Sequence, residues 1–339
     1  MRGMKVEKVS VIMAVYNGED YLEESINSIL QQTYPYFEFI IVNDGSSDGT
    51  AEILNNITDK RVKVYHLYKN RGVSYARNYA VKKANTRWLV LQGHDDISVP
   101  ERIEVQLKYM QEHPELVAAF SMFQQFKEEL TFHQAHLKLL QTGPFFTTRQ
   151  LKERRFFCPW VCYGSALIAR QAFLQAGGYD NSCFLGEDFD LFLRLMELGP
   201  VAMIPRVLYL YRYNPHSISK RNRRETRRAV IKISTNHILK MYAAKYIDPT
   251  FLIIGSPWDC QNFMTHIYPG TGMEIISCLD SNNDATLTRA FSLFKQKIIN
   301  GIIVLGGTKR NRYLINQLVR RGMTLNINLF HLKKFRRKG

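Results

Sequence analysis

The sequence predicts an α/β fold with a mostly parallel sheet. Three patterns support this class: short runs of consecutive apolar and β-branched residues, segments of helical periodicity between those runs, and loops rich in Gly, Asn and Asp where the two meet. Continuous apolar runs are typical of strands that are buried on both faces, as in parallel sheets. Strands that alternate with helices through short connections favour parallel pairing, with helices covering the sheet.

The alternation is clearest in the first hundred residues. The run 9–15 (VSVIMAV) predicts a buried strand, which the tripeptide YNG ends, and Leu22, Ile26 and Ile29 then follow at helical spacing. Acidic residues in the first turns of this helix suit its positive end. The same reasoning predicts further strands over 39–42, 62–65 and 87–91, and further helices over 72–84 and 101–113.

Beyond residue 113 the pattern is less regular. It predicts a strand over 117–126, a polar surface excursion over the site from 127 to 156, helices over 169–176 and 189–198, and a strand over 207–211. A basic helix is expected over 220–244. A second alternation follows, with strands over 251–254, 273–279, 302–305 and near 325–330, and a helix over 313–321.

We therefore expect three parts in the chain: a domain of residues 1–220 that carries the chemistry, a basic helical connector of residues 221–248, and a small Rossmann-like α/β domain of residues 249–339. The first turn of the third part, GSPWD from Gly255, does not complete the G-x-G-x-x-G pattern of dinucleotide binding. We expect no NAD(P) binding there and favour a packing or partner-binding role.

The net charge of +16 is unevenly distributed. Residues 206–240 contain ten Lys or Arg and a single acid, Glu225, and the last seven residues, KKFRRKG, carry five positive charges. Such an excess favours anionic partners such as nucleotides, nucleic acid or an acidic membrane surface. A solvated helix face with a solubilising tail is the simpler alternative.

The sequence offers no membrane span and no signal peptide. No window reaches the roughly 18 uninterrupted apolar residues of a spanning helix, and the N-terminus leads directly into the first strand without a signal-peptide plan. We therefore expect a cytoplasmic protein. Its five cysteines show neither zinc-ligand nor redox spacing and are expected to be reduced.

Two adjacent carboxylates, Asp95 and Asp96, follow shortly after the fourth predicted strand. The carboxyl end of a strand is the edge at which open α/β sheets bind ligands. Oxygen ligands suit Mg²⁺ or Mn²⁺, which proteins hold with one or two carboxylates together with substrate phosphates. The alternative is a solvated Asp-Asp turn before a helix that starts near Pro100.

Three segments, taken in order, resemble family-2 glycosyltransferases, which use nucleotide sugars and have the GT-A fold. The first is VSVIMAVYNGEDYLEESINSILQQTYPYFEFIIVNDGSSDGT, the second is NRGVSYARNYA followed by LQGHDDISVPERIEVQ, and the third is GGYDNSCFLGEDFDLFLRL. The similarity covers about residues 7–220, and the ordered series is far more specific than any one motif. It does not extend over the last part of the chain.

The resemblance implies a donor site at the ends of the first two strands. Tyr16 would stack on or flank the base of the donor, Ala14 would line the pocket, and Asp44 would accept the imide N–H of uracil. For Asp44, an Asx-type turn with Gly45 is the alternative.

The resemblance also assigns roles to the acidic pair. Asp96 would ligate the divalent ion that bridges the diphosphate, and Asp95 would contact the ribose or assist the metal. The ion would offset the charge of the departing nucleoside diphosphate.

The third segment implies the catalytic acid pair. Asp188 would be the general base that takes the proton of the acceptor hydroxyl, and Glu187 would orient the acceptor. A position at a helix N-terminus favours the charged form of Asp188, although a helix cap followed by a first-turn acid is the alternative. Arg71 and Arg77 are cationic and expected near the site, where a structural salt bridge explains either equally well.

The sequence departs from the family pattern at two places. Gly93 occupies a position at which the acidic motif often begins with a further Asp. In the segment YRYNPHSIS, Asn214 stands where the family usually has a His, and a His occurs later, at His216. His216 is therefore a weaker candidate metal ligand.

The family resemblance implies a metal-dependent, inverting glycosyltransferase of the hexosyltransferase type, with Mn²⁺ or Mg²⁺ as cofactor. The expected donor is a UDP-sugar, and the expected acceptor is a hydroxyl of a glycan or lipid-linked molecule in polysaccharide or glycoconjugate biosynthesis. The basic stretch favours a peripheral position at the inner face of an anionic membrane, and no nucleic acid partner is expected.

Two other classes of protein fit part of the sequence. A sugar-nucleotide pyrophosphorylase would need a Gly-rich phosphate loop directly after the first strand, where this chain has Ala-Val-Tyr-Asn. A non-enzymatic nucleic-acid-binding protein would explain the charge, but the interleaved aromatic and basic residues of a known module are missing.

Overall fold

The computed structural model describes residues 6–131, 134–157, 161–214, 217 and 221–333. Within those ranges the chain divides into two compact units. Unit 1 comprises Met1–Leu151 and Trp160–Pro215, and unit 2 comprises Lys152–Pro159 and His216–Gly339.

Unit 1 is built on one sheet. Its strands are β1 (Val9–Val15), β2 (Phe37–Asn43), β3 (Val62–His66), β4 (Trp88–Gly93), β5 (Ile97–Ser98), β6 (Ala118–Thr131), β7 (Gln134–Thr142), β8 (Leu167–Ala169) and β9 (Val201–Arg212). Their order is β3-β2-β1-β4-β8-β6-β9-β5, with β7 paired to β6.

Helices connect these strands. They are α1 (Leu22–Leu30), α2 (Thr50–Asn55), α3 (Val73–Lys83), α4 (Arg102–Glu112), α5 (Thr148–Arg154), α6 (Arg170–Gln175) and α7 (Glu187–Leu198). Short 3-10 helices follow α5 at Arg155–Phe157 and precede β8 at Tyr163–Ser165.

The half of the sheet formed by β3, β2, β1 and β4 is parallel, as the sequence predicts. Every residue of β2 is buried, and so is every residue of β1 except Ala14, because both faces of these strands are covered. Their side chains join a large apolar core with those of α1 and α4, for example Phe39, Trp88, Ile26 and Leu107. The predicted α/β class is confirmed.

The other half of the sheet contains more antiparallel pairing than expected. β8 is antiparallel to β4 and β6, β7 to β6, and β5 to β9. The expectation of an irregular excursion over 127–156 was wrong, since β6 and β7 form a hairpin there and α5 follows. Among the described residues β7 pairs with β6 alone, and residues 139–142 of this strand are exposed, so the segment gives no readable apolar period.

Unit 2 contains a four-stranded parallel sheet in the order β11-β10-β12-β13. Its strands are β10 (Thr250–Gly255), β11 (Glu274–Asp280), β12 (Gly301–Leu305) and β13 (Leu329–Leu332), and its helices are α8 (Arg223–Ala243), α9 (Pro257–His266), α10 (Ala285–Lys295) and α11 (Lys309–Arg320). The strand order fits the small Rossmann-like domain expected from the sequence, although α9 and α10 were not predicted.

The expected domain limits, near residues 220 and 248, differ from this division in two respects. The basic helix α8, expected as a connector, groups with unit 2, where Ile231, Ile238 and Tyr242 on its apolar side are buried. Residues 152–159 also group with unit 2, although the chain before and after them belongs to unit 1. A separate function for residues 249–339 stays a prediction.

None of the helices that the structure describes is both long enough and apolar enough to cross a lipid bilayer.

Candidate active site

The carboxyl ends of three parallel strands meet at one edge of the sheet in unit 1. In the register of β1, Val15 lies opposite Asn43 of β2, and Ala14 lies opposite Gly93 of β4. The residues that follow these strands therefore share an edge. They include Tyr16, Asp44, Asp95 and Asp96, which the sequence named for separate reasons.

The loop after β1 is fixed to its neighbours by backbone hydrogen bonds. The Asn17 N–H donates to Ser46 Oγ at 2.9 Å, and the Ser47 N–H donates to Asn17 Oδ1 at 2.9 Å. Gly18 lies so close to His94 that a Cβ on it would come within 2.7 Å of the imidazole. The preceding ring of Tyr16 remains 45% exposed at this edge and is available for stacking.

Asp44 is 2% exposed, and its carboxylate accepts hydrogen bonds from the backbone just before α3. Oδ1 accepts the Arg71 N–H at 2.9 Å, and Oδ2 accepts the Gly72 N–H at 2.8 Å. Burial raises the pKa of Asp44 above its ordinary value, and these two hydrogen bonds oppose the shift. Asp44 therefore holds the loop before α3, rather than closing a local turn with Gly45, and each oxygen keeps a lone pair for a ligand.

Asp96 is 5% exposed, and both of its oxygens accept hydrogen bonds. Oδ2 accepts the Tyr209 hydroxyl at 2.8 Å, and Oδ1 accepts the Arg212 N–H at 2.9 Å, both from β9. Burial, together with the charge of Asp95, raises the pKa of Asp96 to about 8. The second acid of the pair thus belongs to the interior of the site.

Asp95 is more open than its neighbour, and its carboxylate has no hydrogen bond or ion pair in the part of the chain that the structure describes. Its backbone carbonyl is held at 2.7 Å by Nε of Arg212. The resemblance gave the metal to Asp96 and a supporting role to Asp95. The geometry instead leaves the carboxylate of Asp95 available to a ligand.

No cluster of three or more His, Cys, Asp or Glu that could hold a metal occurs among the described residues. An ion bound here would take its remaining ligands from substrate phosphates and water, which is common for Mg²⁺. His216, the other candidate ligand, lies outside the described residues.

Arg212 and Arg102 support this loop, and sequence reasoning gave neither a role. The Arg212 side chain is 3% exposed, forms an ion pair with Glu24 and lies 4.3 Å from the ring centroid of Tyr21. Its place in the segment YRYN was the one available signal.

The guanidinium of Arg102 is fully buried and donates to the carbonyl oxygens of Leu91 at 2.8 Å and Gly164 at 2.9 Å. It also donates to Gln92 Oε1 at 3.0 Å, and burial lowers the pKa of Arg102 to about 10. An arginine two residues after Pro100 reads as an ordinary first-turn residue, so its burial could not be foreseen.

Asp188 and Glu187 begin α7, after Gly186 in the left-handed conformation with φ 84°. Asp188 Oδ1 accepts one hydrogen bond from Nη1 of Arg77 at 2.8 Å and another from the Tyr179 hydroxyl at 3.1 Å. The same Nη1 lies 3.6 Å from Glu187 Oε1. One guanidinium thus faces two carboxylates, and burial together with the charge of Asp188 raises the pKa of Glu187 to about 7.

Helix α3 connects the two ends of the site. Asp44 binds the N–H groups just before this helix, and Arg77, five residues after Gly72, binds Asp188. Five residues of helix rise about 8 Å. Asp44, expected to bind the base, and Asp188, expected to be catalytic, are therefore held by residues that lie less than two helical turns apart.

Unit 1 thus combines an α/β sheet, a buried Asp, an exposed Tyr and an acidic pair at one edge, and a second acid pair at the start of α7, as the resemblance to GT-A glycosyltransferases implies. The sequence profile described as glycosyl transferase family 2 matches residues 10–176. The chain is 34% identical over 203 residues to the O-antigen biosynthesis glycosyltransferase WbnJ of Escherichia coli, which covers 58% of this chain and 74% of that protein. The chain therefore belongs to glycosyltransferase family 2.

Other relatives agree with this assignment. The amylovoran biosynthesis glycosyltransferase AmsE of Erwinia amylovora is 29% identical over 220 residues, covering 62% of this chain and 79% of that protein. The chain spans only 34%, 42% and 44% of the length of three other matched relatives. Among solved structures, S. aureus TarS 1–349 in complex with UDP has a TM-score of 0.52 at 20% identity, over 68% of this chain and 65% of that one, which is a likeness of fold.

Proposed function

We propose that this chain is a metal-dependent, inverting glycosyltransferase that moves a sugar from a UDP-sugar donor to a hydroxyl of a glycan or lipid-linked acceptor. The observation that carries the proposal is the link through helix α3. The N–H groups of Arg71 and Gly72, just before this helix, donate to the buried carboxylate of Asp44, and Arg77 on the helix forms an ion pair with Asp188. Membership of the family and the names of the relatives in O-antigen and amylovoran biosynthesis support polysaccharide or glycoconjugate assembly as the process.

In this proposal the donor base lies between Tyr16 and Asp44. The exposed ring of Tyr16 offers a stacking face, and Ala14, the one residue of β1 that is not fully buried, leaves room beside it. The remaining lone pairs of Asp44 would accept the imide N–H of uracil. TarS, which shares the fold, has been crystallised with UDP and with UDP-GlcNAc, which supports this donor class.

Asp95 is the better of the two candidate metal ligands, because its carboxylate is unpaired among the described residues while that of Asp96 already accepts two hydrogen bonds. A bound Mg²⁺ or Mn²⁺ would offset the negative charge of the leaving diphosphate. Asp96 would position Asp95 by fixing the turn after β4 to β9.

The chemistry is a single displacement. The acceptor hydroxyl oxygen attacks the anomeric carbon, its proton passes to the Asp188 carboxylate, and the bond from that carbon to the diphosphate oxygen breaks with the electron pair leaving on the nucleoside diphosphate. Arg77 holds the Asp188 carboxylate in place before the reaction, since its Nη1 donates a hydrogen bond to Oδ1 at 2.8 Å. The anomeric configuration of the sugar is inverted in the product.

The basic stretch of residues 206–240 supports a peripheral position at an anionic membrane, where lipid-linked acceptors occur. Arg223, Arg224, Arg227 and Arg228 lie in the first two turns of α8, with Glu225 as the one acid among them. Sedimentation with vesicles that contain acidic lipid, compared with neutral vesicles, tests this part of the proposal. Equal recovery with both would contradict it.

Calorimetric titration of UDP, with and without Mn²⁺, tests the donor and metal sites directly. We expect binding that depends on the metal in the wild-type chain and is lost in Asp44→Ala. Binding of UDP that is independent of Mn²⁺ and of Asp44 would overturn the proposal. Screening of UDP-sugars for hydrolysis or transfer, followed by NMR of the anomeric proton in the product, tests inversion.

A further inference from the structure

Tyr211 lies near the end of β9, the strand that holds Asp96. Its neighbour Arg212 donates a backbone N–H to Asp96 Oδ1 at 2.9 Å, and Tyr209 donates its hydroxyl to Asp96 Oδ2 at 2.8 Å. The pairing of β9 with β6 is regular from Tyr209 to Arg212. Because side chains two residues apart on a strand point to the same face of the sheet, Tyr211 shares a face with Tyr209.

Aromatic packing fixes the ring of Tyr211. Its centroid lies 6.0 Å from that of Phe123 at an interplanar angle of 80°, which is the edge-to-face arrangement that aromatic pairs favour. The ring also packs against the small buried cluster of Phe123, Cys162 and Tyr209. Since these contacts are all made within unit 1, they hold the hydroxyl of Tyr211 at a fixed position beside the acidic pair.

The hydroxyl of Tyr211 has no hydrogen-bond partner in the part of the chain that the structure describes. The residue is half-buried, but the oxygen itself is accessible to solvent. Two other tyrosines at the site differ in this respect, because Tyr209 donates to Asp96 and Tyr179 donates to Asp188. A phenol hydroxyl can donate one hydrogen bond and accept others. That of Tyr211 is therefore available to a ligand.

Carboxylates from both parts of the site act on this hydroxyl. Burial raises the pKa of Tyr211 well above its ordinary value, and the charges of Asp96, Asp95 and Asp188 raise it further. The phenol therefore stays protonated at neutral pH. It lies in the field of the acidic pair after β4 and of the acid on the first turn of α7, where a neutral hydroxyl can donate a hydrogen bond to a ligand oxygen.

In the proposed function, the transferred sugar occupies the space between these two groups of acids. The metal at Asp95 holds the diphosphate, and Asp188 takes the proton of the acceptor hydroxyl. The anomeric carbon is bonded to a diphosphate oxygen and is attacked from its other side by the acceptor, so the sugar ring lies between them. Its own hydroxyl groups need hydrogen-bond partners once water is excluded.

We propose that the Tyr211 hydroxyl donates a hydrogen bond to the transferred sugar and that Tyr211 helps to determine which sugar is accepted. The inference rests on the proposed function and adds to it a contact with the sugar. Tyr16, Asp44 and Asp95 hold the nucleotide part of the donor, which all UDP-sugars share. A fixed polar partner rejects an analogue without the bonded hydroxyl more strongly than an apolar pocket does.

The test is the isosteric change Tyr211→Phe, with Tyr109→Phe as the matched control. Tyr109 is a half-buried tyrosine on α4, its ring centroid lies 4.5 Å from that of His113, and its hydroxyl has no hydrogen bond to any residue that the structure describes. Calorimetry in the presence of Mn²⁺ measures the Kd of UDP, UDP-glucose, UDP-galactose and UDP-N-acetylglucosamine for the wild type and both variants.

We expect Tyr211→Phe to raise the ratio of the UDP-sugar Kd to the UDP Kd by about 3- to 10-fold for at least one of these sugars, because one hydrogen bond contributes that much. The Kd of UDP should stay within about twofold of wild type, and Tyr109→Phe should change neither quantity. The Tm of Tyr211→Phe should stay within about 2 °C of wild type, since no group of the protein loses a partner.

Deoxy analogues of the sugar that responds identify the contact. The analogue that lacks the bonded hydroxyl should bind the wild type and Tyr211→Phe with the same Kd, because neither complex contains the hydrogen bond. The other deoxy analogues should keep the difference. An equal difference for every analogue would show that Tyr211 acts through the protein, and it would overturn the inference.

Three further results would also overturn it: a Kd ratio that Tyr211→Phe leaves unchanged for every sugar, an equal weakening of UDP and the UDP-sugars, and a large loss of Tm. The second would place the hydroxyl at the diphosphate, and the third would show that it serves the fold. If the wild-type chain binds none of these nucleotides, the proposed function fails and this contact fails with it. If UDP binds and the ratio does not change, the contact alone fails.

Discussion

Replacing Glu187 with glutamine should stabilise the protein at pH 8 much more than at pH 5. The Glu187 side chain is 14% exposed, and it shares the single guanidinium of Arg77 with Asp188. Burial first, and then the charge of Asp188, raise the pKa of Glu187 from 4.5 to about 7, while Arg77 opposes the shift. Glutamine resembles the protonated acid in size and hydrogen bonding and has no proton to lose.

The sign follows from proton binding in the two states. Between pH 4.5 and 7 the folded chain keeps a proton on Glu187 that the unfolded chain has released, so the favourable contribution of Glu187 is complete below pH 4.5 and is lost as the pH rises through 7. A shift of this size amounts to about 3 kcal/mol when complete, of which about 2 kcal/mol falls between pH 5 and pH 8. For a unit of about 200 residues that difference corresponds to about 4–8 °C in Tm.

Thermal unfolding of the wild type and Glu187→Gln at pH 5 and pH 8 measures this directly. Glu23→Gln serves as the control, because Glu23 is an exposed residue in the first turn of α1 and should show no such difference. The reasoning is refuted if the Tm difference between Glu187→Gln and wild type is the same at both pH values, or if the variant is the less stable protein at pH 8.

Three further outcomes follow from the geometry. Asp95→Asn should abolish the effect of Mn²⁺ on UDP affinity in calorimetry while leaving Tm within a few degrees, whereas Asp96→Asn should lower Tm as well. An Asp95→Asn variant with unchanged metal-dependent binding would return the metal to Asp96. Asp188→Asn should bind the donor normally and lose transfer by on the order of 10²-fold or more, because an amide cannot take the proton, and turnover within a few fold of wild type would place the base elsewhere. Gly93→Asp, which restores the acid that the family often has, should weaken metal-dependent UDP binding, since a Cβ there lies 2.5 Å from Asp96 Oδ2, and tighter binding would show that the site has room for it.

The sequence alone predicts much of the site, because each strand and the polar residues that follow it can be recognised within a short stretch of the chain. Strand β1 is a run of apolar residues that can be read without its neighbours, and the polar residues Asp44, Asp95 and Asp96 each follow such a run. Parallel strands place their carboxyl ends at one edge whatever the order of the strands. The meeting of these residues could therefore be predicted from strand positions alone.

Only the tertiary structure shows which of these carboxylates accept hydrogen bonds from the protein, and which residues donate them. Asp95 and Asp96 are adjacent and chemically identical, so the choice between them depends on Tyr209 and Arg212, which are more than a hundred residues away in the chain. In the same way, Arg102 reads as a surface residue until its burial is seen.

Long-range contacts also explain why the sequence does not predict the burial of Phe156 and the ring contact of Phe157. Phe156 and Phe157 occur in a segment with no apolar period, and the residues that bury them, Phe330 and His331, lie near the other end of the chain. Local periodicity records which residues are apolar along one element, and it contains no information about which distant element covers them. That is decided only in the tertiary structure, because the free energy of burying an aromatic ring belongs to the contact and not to the segment.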